Sequence, residues 1–174
     1  MTTPPPYREQ VLRDYAALEA GDADAWNPLT SDFELGYRLA LFYAARQALR
    51  ASGAAPDGLS VLDVGCGNGR STRMYLDLGL RPGQLTGIDF RSDAIARAAA
   101  LNPAIRFRVH DGAGLPADVP APNWVSLTTV MTSIAGRAAR AELASSLLGL
   151  LPAGGHLFYF DMVAANKFAG RDRI

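Results

Sequence analysis

Three glycines at alternate positions follow a short aliphatic run in VLDVGCGNGRST (61–72), and no other stretch limits the possible fold as tightly. Val61, Leu62 and Val64 read as a buried strand that stops at Gly65, turns through Gly67 and Gly69, and enters a helix near Arg70. Glycine permits positive φ and removes the Cβ that keeps a ligand off the backbone. The helix that follows offers free N–H groups and the positive end of its dipole to an anion. A plain strand-to-helix turn can be spelled the same way, so the loop takes its meaning from what surrounds it.

From Ser60 onward, strand patterns alternate with helical ones. The strands are VLDVG (61–65), QLTGIDF (84–90), IRFRVH (105–110), WVSLTTV (124–130) and HLFYFDMV (156–163), with helices expected at 70–79, 92–101 and 137–151. Short connections between such elements imply an α/β fold: an open, mostly parallel sheet with helices on both faces. Ile105, Phe107 and Val109 alternate with Arg106, Arg108 and His110, whereas the other strands are apolar on both faces. The third strand is therefore expected at a sheet edge. Ahead of the sheet, 8–20 and 32–51 have helical periodicity. In the second helix Leu35, Leu39, Phe42 and Leu49 are expected to pack, leaving Glu34, Arg38 and Arg50 in water. Residues 2–6 are too rich in proline to be helical. The chain thus divides into an N-terminal helical segment, 1–58, and an α/β core, 59–174.

A chain of 174 residues that is 49% hydrophobic can bury one sizeable core. Lys plus Arg equals Asp plus Glu at 17 each, so no global field favours nucleic acid, which is not an expected partner. The single Cys66 rules out an intrachain disulfide and a multi-cysteine metal site, and no metal is expected. No apolar run approaches the ~20 residues of a membrane span. The start, MTTPPPYREQ, lacks the apolar core of a signal peptide, so a soluble cytoplasmic protein is expected.

Spacing discriminates among ligands. A dinucleotide fingerprint is G-x-G-x-x-G, but here the third glycine comes one residue early and Arg70 stands where glycine is expected, which disfavours NAD. Asp89 ends the second strand about 20 residues past the loop, where a carboxylate can accept from both hydroxyls of a ribose. Asp63, inside the first strand, must find donors such as the loop's own N–H groups, and either braces the loop or holds an amino group. Asp111 follows the alternating third strand and opens a Gly/Pro loop, on the same rim as Asp89.

With these elements in order, the chain resembles the class I S-adenosylmethionine-dependent methyltransferases. VLDVGCGNGRST resembles the family's first motif, GIDF its acidic second motif, HDGAGLP (110–116) its third, and LLPAGGHLFYF (150–160) its turn and fifth strand. The resemblance spans about 60–161 and implies S-adenosylmethionine as cofactor, with S-adenosylhomocysteine as product. It implies that Gly65, Gly67 and Gly69 lie along the methionine part, that Asp89 holds the ribose diol, and that Asp111 with Gly112 approaches the adenine. Asp63, Cys66, Asn68, Phe90 and Thr128 complete the expected cofactor-binding set. TTVMTSI (128–134) would line the space near the reactive methyl. It departs from the motifs of members that methylate exocyclic nitrogens of bases, so a small-molecule acceptor, O- or N-methylated, is expected.

The N-terminal helices, 1–58, resemble the lid or cap that many family members lay over the cofactor, with Tyr15, Trp26 and Tyr37 as candidate pocket aromatics. His110, His156, Asp161 and Tyr159 stand near strand ends as candidate bases, but His156 begins its strand at the wrong end and reads as structural, and no catalytic residue is assigned. Family members usually continue past the fifth strand with a helix and an antiparallel strand pair, where this sequence has only AANKFAGRDRI. The resemblance therefore implies an exposed edge at 156–163, open to a homodimer or a partner chain. It also leaves a second function open: a cofactor-binding domain that catalyses nothing and acts through a partner.

Overall fold

Strand β1 (Val61–Val64) is buried at all four positions, and its place in the sheet explains why. It pairs in parallel with β2 (Leu85–Asp89) on one side and β4 (Trp124–Thr128) on the other. β3 (Arg106–Val109) adds to β2, and β5 (His156–Phe160) adds to β4, giving the order β3-β2-β1-β4-β5. This is a computed structural model, which describes residues 6–19, 27–112 and 114–161. The chain reverses its direction of travel across the sheet between β1 and β4, so a crevice opens beyond the carboxyl ends of those strands.

Alternation along β1 sends its side chains to two different cores. Val61 joins Leu85, Phe107, Trp124 and Phe158 on the face covered by α2 (Asp32–Ser52), α3 (Arg70–Asp77) and α4 (Ser92–Leu101). Leu62 and Val64 join Ile88, Val125 and Leu127 on the face covered by α5 (Arg137–Leu148), where Tyr7 of α1 (Pro6–Glu19) also packs. Each large side chain fully buried in this way stabilises the fold by about 1.5–3 kcal/mol. The indole N–H of buried Trp124 donates to the Tyr75 hydroxyl at 3.1 Å, so its polar atom is satisfied without leaving the core.

β3 is an edge strand: Phe107 points inward, while Arg108 and Val109 are exposed. Among the described residues β5 forms the other edge, with Leu157 37% and Tyr159 54% exposed. Strands end one or two residues before their sequence patterns do, because β1 meets the positive φ of Gly65 and β4 turns at Thr129. Met162 and Val163, expected to extend β5, lie outside the described residues. α3 and α5 likewise stop short, at Asp77 and Leu148.

Two expectations about the N-terminal helices need correction. α1 opens on Pro6, since proline's fixed φ suits a first turn whose N–H would have had no partner. In α2 the inner face is Glu34, Leu41 and Ala45, whereas Leu35 and Leu39 are exposed. Glu34 tolerates burial because its carboxylate accepts from Arg38 Nε at 2.8 Å and from Arg70 Nη1 at 3.2 Å, and its backbone N–H is capped by the Ser31 hydroxyl. Phe42 and Leu49 pack as expected, and Arg50 is exposed. Among the described residues no helix is long and apolar enough to cross a membrane.

Candidate functional site

The glycine loop is tied down from below. The N–H groups of Gly65 and Cys66 both donate to the carbonyl of Ile88 in β2, at 2.8 and 3.0 Å, so the loop folds over the neighbouring strand. Gly65, Gly67 and Gly69 all have positive φ, between 55° and 80°. Gly69 is required by packing, because a Cβ there would stand 2.8 Å from the Phe107 ring. Gly67 is different: a Cβ would meet only Arg91 Nη2, at 3.5 Å, so its backbone faces open space that a ligand can approach. Gly69 also caps α3 without a side-chain acceptor, so no capping side chain serves the first-turn N–H groups.

Asp89 closes the loop from the side. Its Oδ2 accepts from Gly67 N at 2.9 Å and its Oδ1 from Arg91 N at 2.9 Å. Arg91 Nε also lies 3.6 Å from Oδ1, so the second lone pair of Oδ2 is the one not faced by that guanidinium. The carboxylate thus fixes the loop and retains acceptor capacity toward the crevice.

Asp63 does not reach the crevice. It is fully buried beneath the loop, and its Oδ2 accepts from the hydroxyls of Ser71 and Thr72, each at 2.7 Å. Its donors are therefore side chains of the α3 first turn, where the loop's N–H groups were expected. Burial pushes its carboxyl up to about 6, against the lowering effect of those hydroxyls. Cys66 turns its side chain into the core, and burial raises its thiol well above the usual value. Its thiol donates to the Gly67 carbonyl at 3.7 Å, and its backbone N–H ties the loop to β2.

Over the crevice lies α1. Arg8 forms an ion pair with Asp111, and its guanidinium sits 5.9 Å from the centroid of the Phe90 ring. Arg91 lies over Tyr15 at 3.9 Å. Gly112 N donates to His110 Nδ1 at 3.1 Å, and Leu143 packs close to Gly112. The space beyond the sheet is split in consequence. A cavity of about 900 Å³ borders Gly65, Gly67, Asn68 and Arg70 together with Tyr37 of α2, and one of about 80 Å³ under α1 borders Asp89, Phe90 and Asp111. Tyr15 and Thr128 line both. The Thr128 hydroxyl is buried and has no hydrogen-bond partner among the described residues.

The sequence-expected residues thus separate into three groups: loop and rim residues that border a cavity; Asp63, Gly69 and Gly112, which are not among the residues lining either one; and Trp26, which lies outside the described residues. Of the candidate bases, Asp161 accepts from Thr132 N and Oγ1, and Tyr159 is exposed with its phenol raised, chiefly by burial. His156 stacks on Trp124 at the opposite end of the sheet. Tyr37 is pushed up to about 12 by burial, against a hydrogen bond with Thr129, and so keeps its proton at neutral pH. Sequence reasoning missed Arg8, Arg91 and Thr129. Arg91 directly follows the acidic motif, which is a usable signal. Thr129, the non-glycine residue at φ 54° among those described, carries no local signature.

A family model described as a methyltransferase domain matches residues 61–155, more than half of the chain. No curated protein matches the sequence. Among solved structures the chain is similar to the magnesium protoporphyrin IX methyltransferase of Synechocystis PCC 6803 with bound SAM. The TM-score is 0.63 at 20% identity, covering 86% of this chain and 74% of that one. It is also similar to the sugar N-methyltransferase KedS8 of a Streptoalloteichus species, with TM-score 0.57, 22% identity, and 72% and 51% of the two chains covered. The glycopeptide N-methyltransferase MtfA in complex with SAM gives TM-score 0.52, 21% identity, and coverage of 67% and 52%. Identities this low make the likeness one of fold, and the chain spans about half the length of the last two.

Proposed function

Because the chain belongs to the methyltransferase-domain family, we propose that it transfers a methyl group from S-adenosylmethionine to a small-molecule acceptor. The observation that carries this reading is the hydrogen bond from Gly67 N to Asp89 Oδ2, which sets a backbone cradle beside a carboxylate with an unused lone pair. The unpartnered Thr128 hydroxyl at the same spot fits a polar ligand.

When bound, the cofactor supplies an electrophilic methyl on a sulfonium. The chain's own residues do the positioning. Asp89 offers an acceptor to a vicinal diol through the lone pair of Oδ2 beside the Gly67 contact, while Arg91 engages Oδ1. Thr128 offers a hydroxyl, and Gly67 lets the ligand lie against the backbone. Asp111 can serve a base edge only after Arg8 gives way. The space beneath α1, about 80 Å³, falls well short of the ~300 Å³ at the lower end of ligand pockets, so α1 must lift or tilt on binding. Tyr37 retains its proton and therefore orients an acceptor instead of deprotonating it. Displacement at a methyl group relies on alignment more than on a dedicated base, and these residues supply the alignment.

Incubating the chain with S-adenosylmethionine labelled in its methyl group, against panels of carboxyl, hydroxyl and amine acceptors, tests the proposal. Label should pass to one class of acceptor. Absence of both binding and transfer would contradict the reading, whereas binding without transfer to any panel would favour a cofactor-binding domain that acts through a partner.

A further inference from the structure

Charge is unevenly distributed around the larger cavity. The chain is neutral overall, yet this cavity is bordered by Arg38, Arg70, Arg73, Arg91 and Arg97; Arg97 pairs with Asp93 at 2.7 Å and Arg91 lies 3.6 Å from Asp89, which leaves Arg38, Arg70 and Arg73 beside Glu34 and Asp77. Glu34 already accepts from both Arg38 and Arg70. Arg70 registers the crowding: burial and the nearby charges of Arg38 and Arg73 pull its guanidinium below its usual value, with Glu34 opposing. Arg73 lies one turn further along α3, exposed, and makes no ion pair among the described residues. Cations concentrated along a concave wall attract anions.

The same cavity has an apolar side. Phe33 and Leu39 border it at 63% and 62% exposure, with Phe42 beside them. At about 900 Å³ it stands near the top of the roughly 300–1,000 Å³ that small-molecule sites occupy, leaving room for more than the cofactor's amino-acid end. That end carries an ammonium as well as a carboxylate, so it adds no net negative charge beside Arg38, Arg70 and Arg73, of which the first two share the single carboxylate of Glu34.

We propose that the methyl acceptor is an amphiphilic anion, a small molecule whose carboxylate or phosphate lies between Arg70 and Arg73 while its apolar body lies along Phe33, Leu39 and Phe42. This rests on the transfer function proposed above and adds the chemical class of its substrate. Arg73 is the residue to test, because Arg70 also braces the buried Glu34 and its loss would disturb α2.

The experiment is a calorimetric titration of the full chain, first with S-adenosylhomocysteine and then, with that ligand saturating, with octanoate, octyl phosphate and octylammonium. The two anions should bind at least about tenfold tighter than octylammonium, and Arg73→Gln should weaken them about fivefold. Which of the two binds tighter tells carboxylate from phosphate. Arg73→Lys should recover part of the loss. Equal affinity for anion and cation, or an anion affinity unchanged in Arg73→Gln, would overturn the inference. So would a loss in Arg73→Gln confined to S-adenosylhomocysteine, since the cations would then serve the cofactor. Should S-adenosylhomocysteine fail to bind at all, the transfer reading falls, and the same anion titrations on the free chain still decide the charge preference separately.

Discussion

Below Asp89 and Thr128 the site is made of groups sealed from water, while above them α1 is fastened by groups that remain partly wet. In the floor, Asp63, Thr72 and Tyr75 have no exposed surface, and the hydroxyls of Ser71 and Thr72 close on Asp63 at 2.7 Å. In the cover, the Arg8 and Asp111 side chains are 22% and 33% exposed, Leu12 is 47% exposed, and Val11 and Asp14 are the buried residues among those whose side chains are described. A sealed, close-packed floor transmits any change directly into stability. A half-solvated ion pair contributes about 1 kcal/mol or less. The contrast suits a binding site: the floor is organised before the ligand arrives, and the cover's contacts are weak enough for the ligand to replace.

The sharpest break of the floor is Gly69→Ala. It places a Cβ 2.8 Å from the Phe107 ring at a φ of 80°, so overpacking adds to backbone strain. Urea unfolding should show a loss of roughly 4 kcal/mol. A loss below about 1 kcal/mol would mean that the floor yields more easily than its packing implies.

Asp63 gives the next largest effect, and its sign follows from proton linkage. Burial raises its carboxyl from 3.8 to about 6, so between those values the native state holds a proton that the unfolded chain has released. This group's contribution is full below pH 3.8 and falls as pH rises to about 6, costing about 3 kcal/mol above that. Asp63→Asn lacks the transition and should gain on the unsubstituted chain across that window in paired denaturant melts. Parallel pH profiles for the two would contradict the assignment.

Thr128→Val separates binding from folding within the floor. The hydroxyl has no partner among the described residues, so melting should change little while affinity for S-adenosylhomocysteine falls about tenfold. The smallest effect belongs to the cover. Arg8→Ala should cost less than about 1 kcal/mol of stability and should raise that affinity about threefold, because Asp111 and Phe90 no longer have to be vacated. Weaker binding in Arg8→Ala would make Arg8 a ligand contact instead of a competitor.

The floor was far more legible in the sequence than the cover. An aliphatic strand running into alternating glycines announces its own geometry, and the Arg/His alternation of β3 marks a sheet edge, because both signals are local. The phase of α2 was not legible. Its inner face ends in Glu34, whose burial depends on Arg70, 36 residues away, so hydrophobic periodicity assigned Leu35 and Leu39 to the wrong side. The cover is less local still: Arg8 and Asp111 are 103 residues apart, and no short pattern pairs them. Asp63 falls between these cases. Its need for donors was evident from a carboxylate in a central strand, but their identity was set by how α3 leaves the loop.

The most direct measurement is a calorimetric titration of S-adenosylhomocysteine into the chain and into Asp89→Asn, with thermal melts of both. Micromolar binding that weakens about a hundredfold in the variant, while the variant still melts cooperatively, is the expected result. Equal affinity in the two proteins, or no binding to the unsubstituted chain, would contradict the role given to the glycine loop and Asp89.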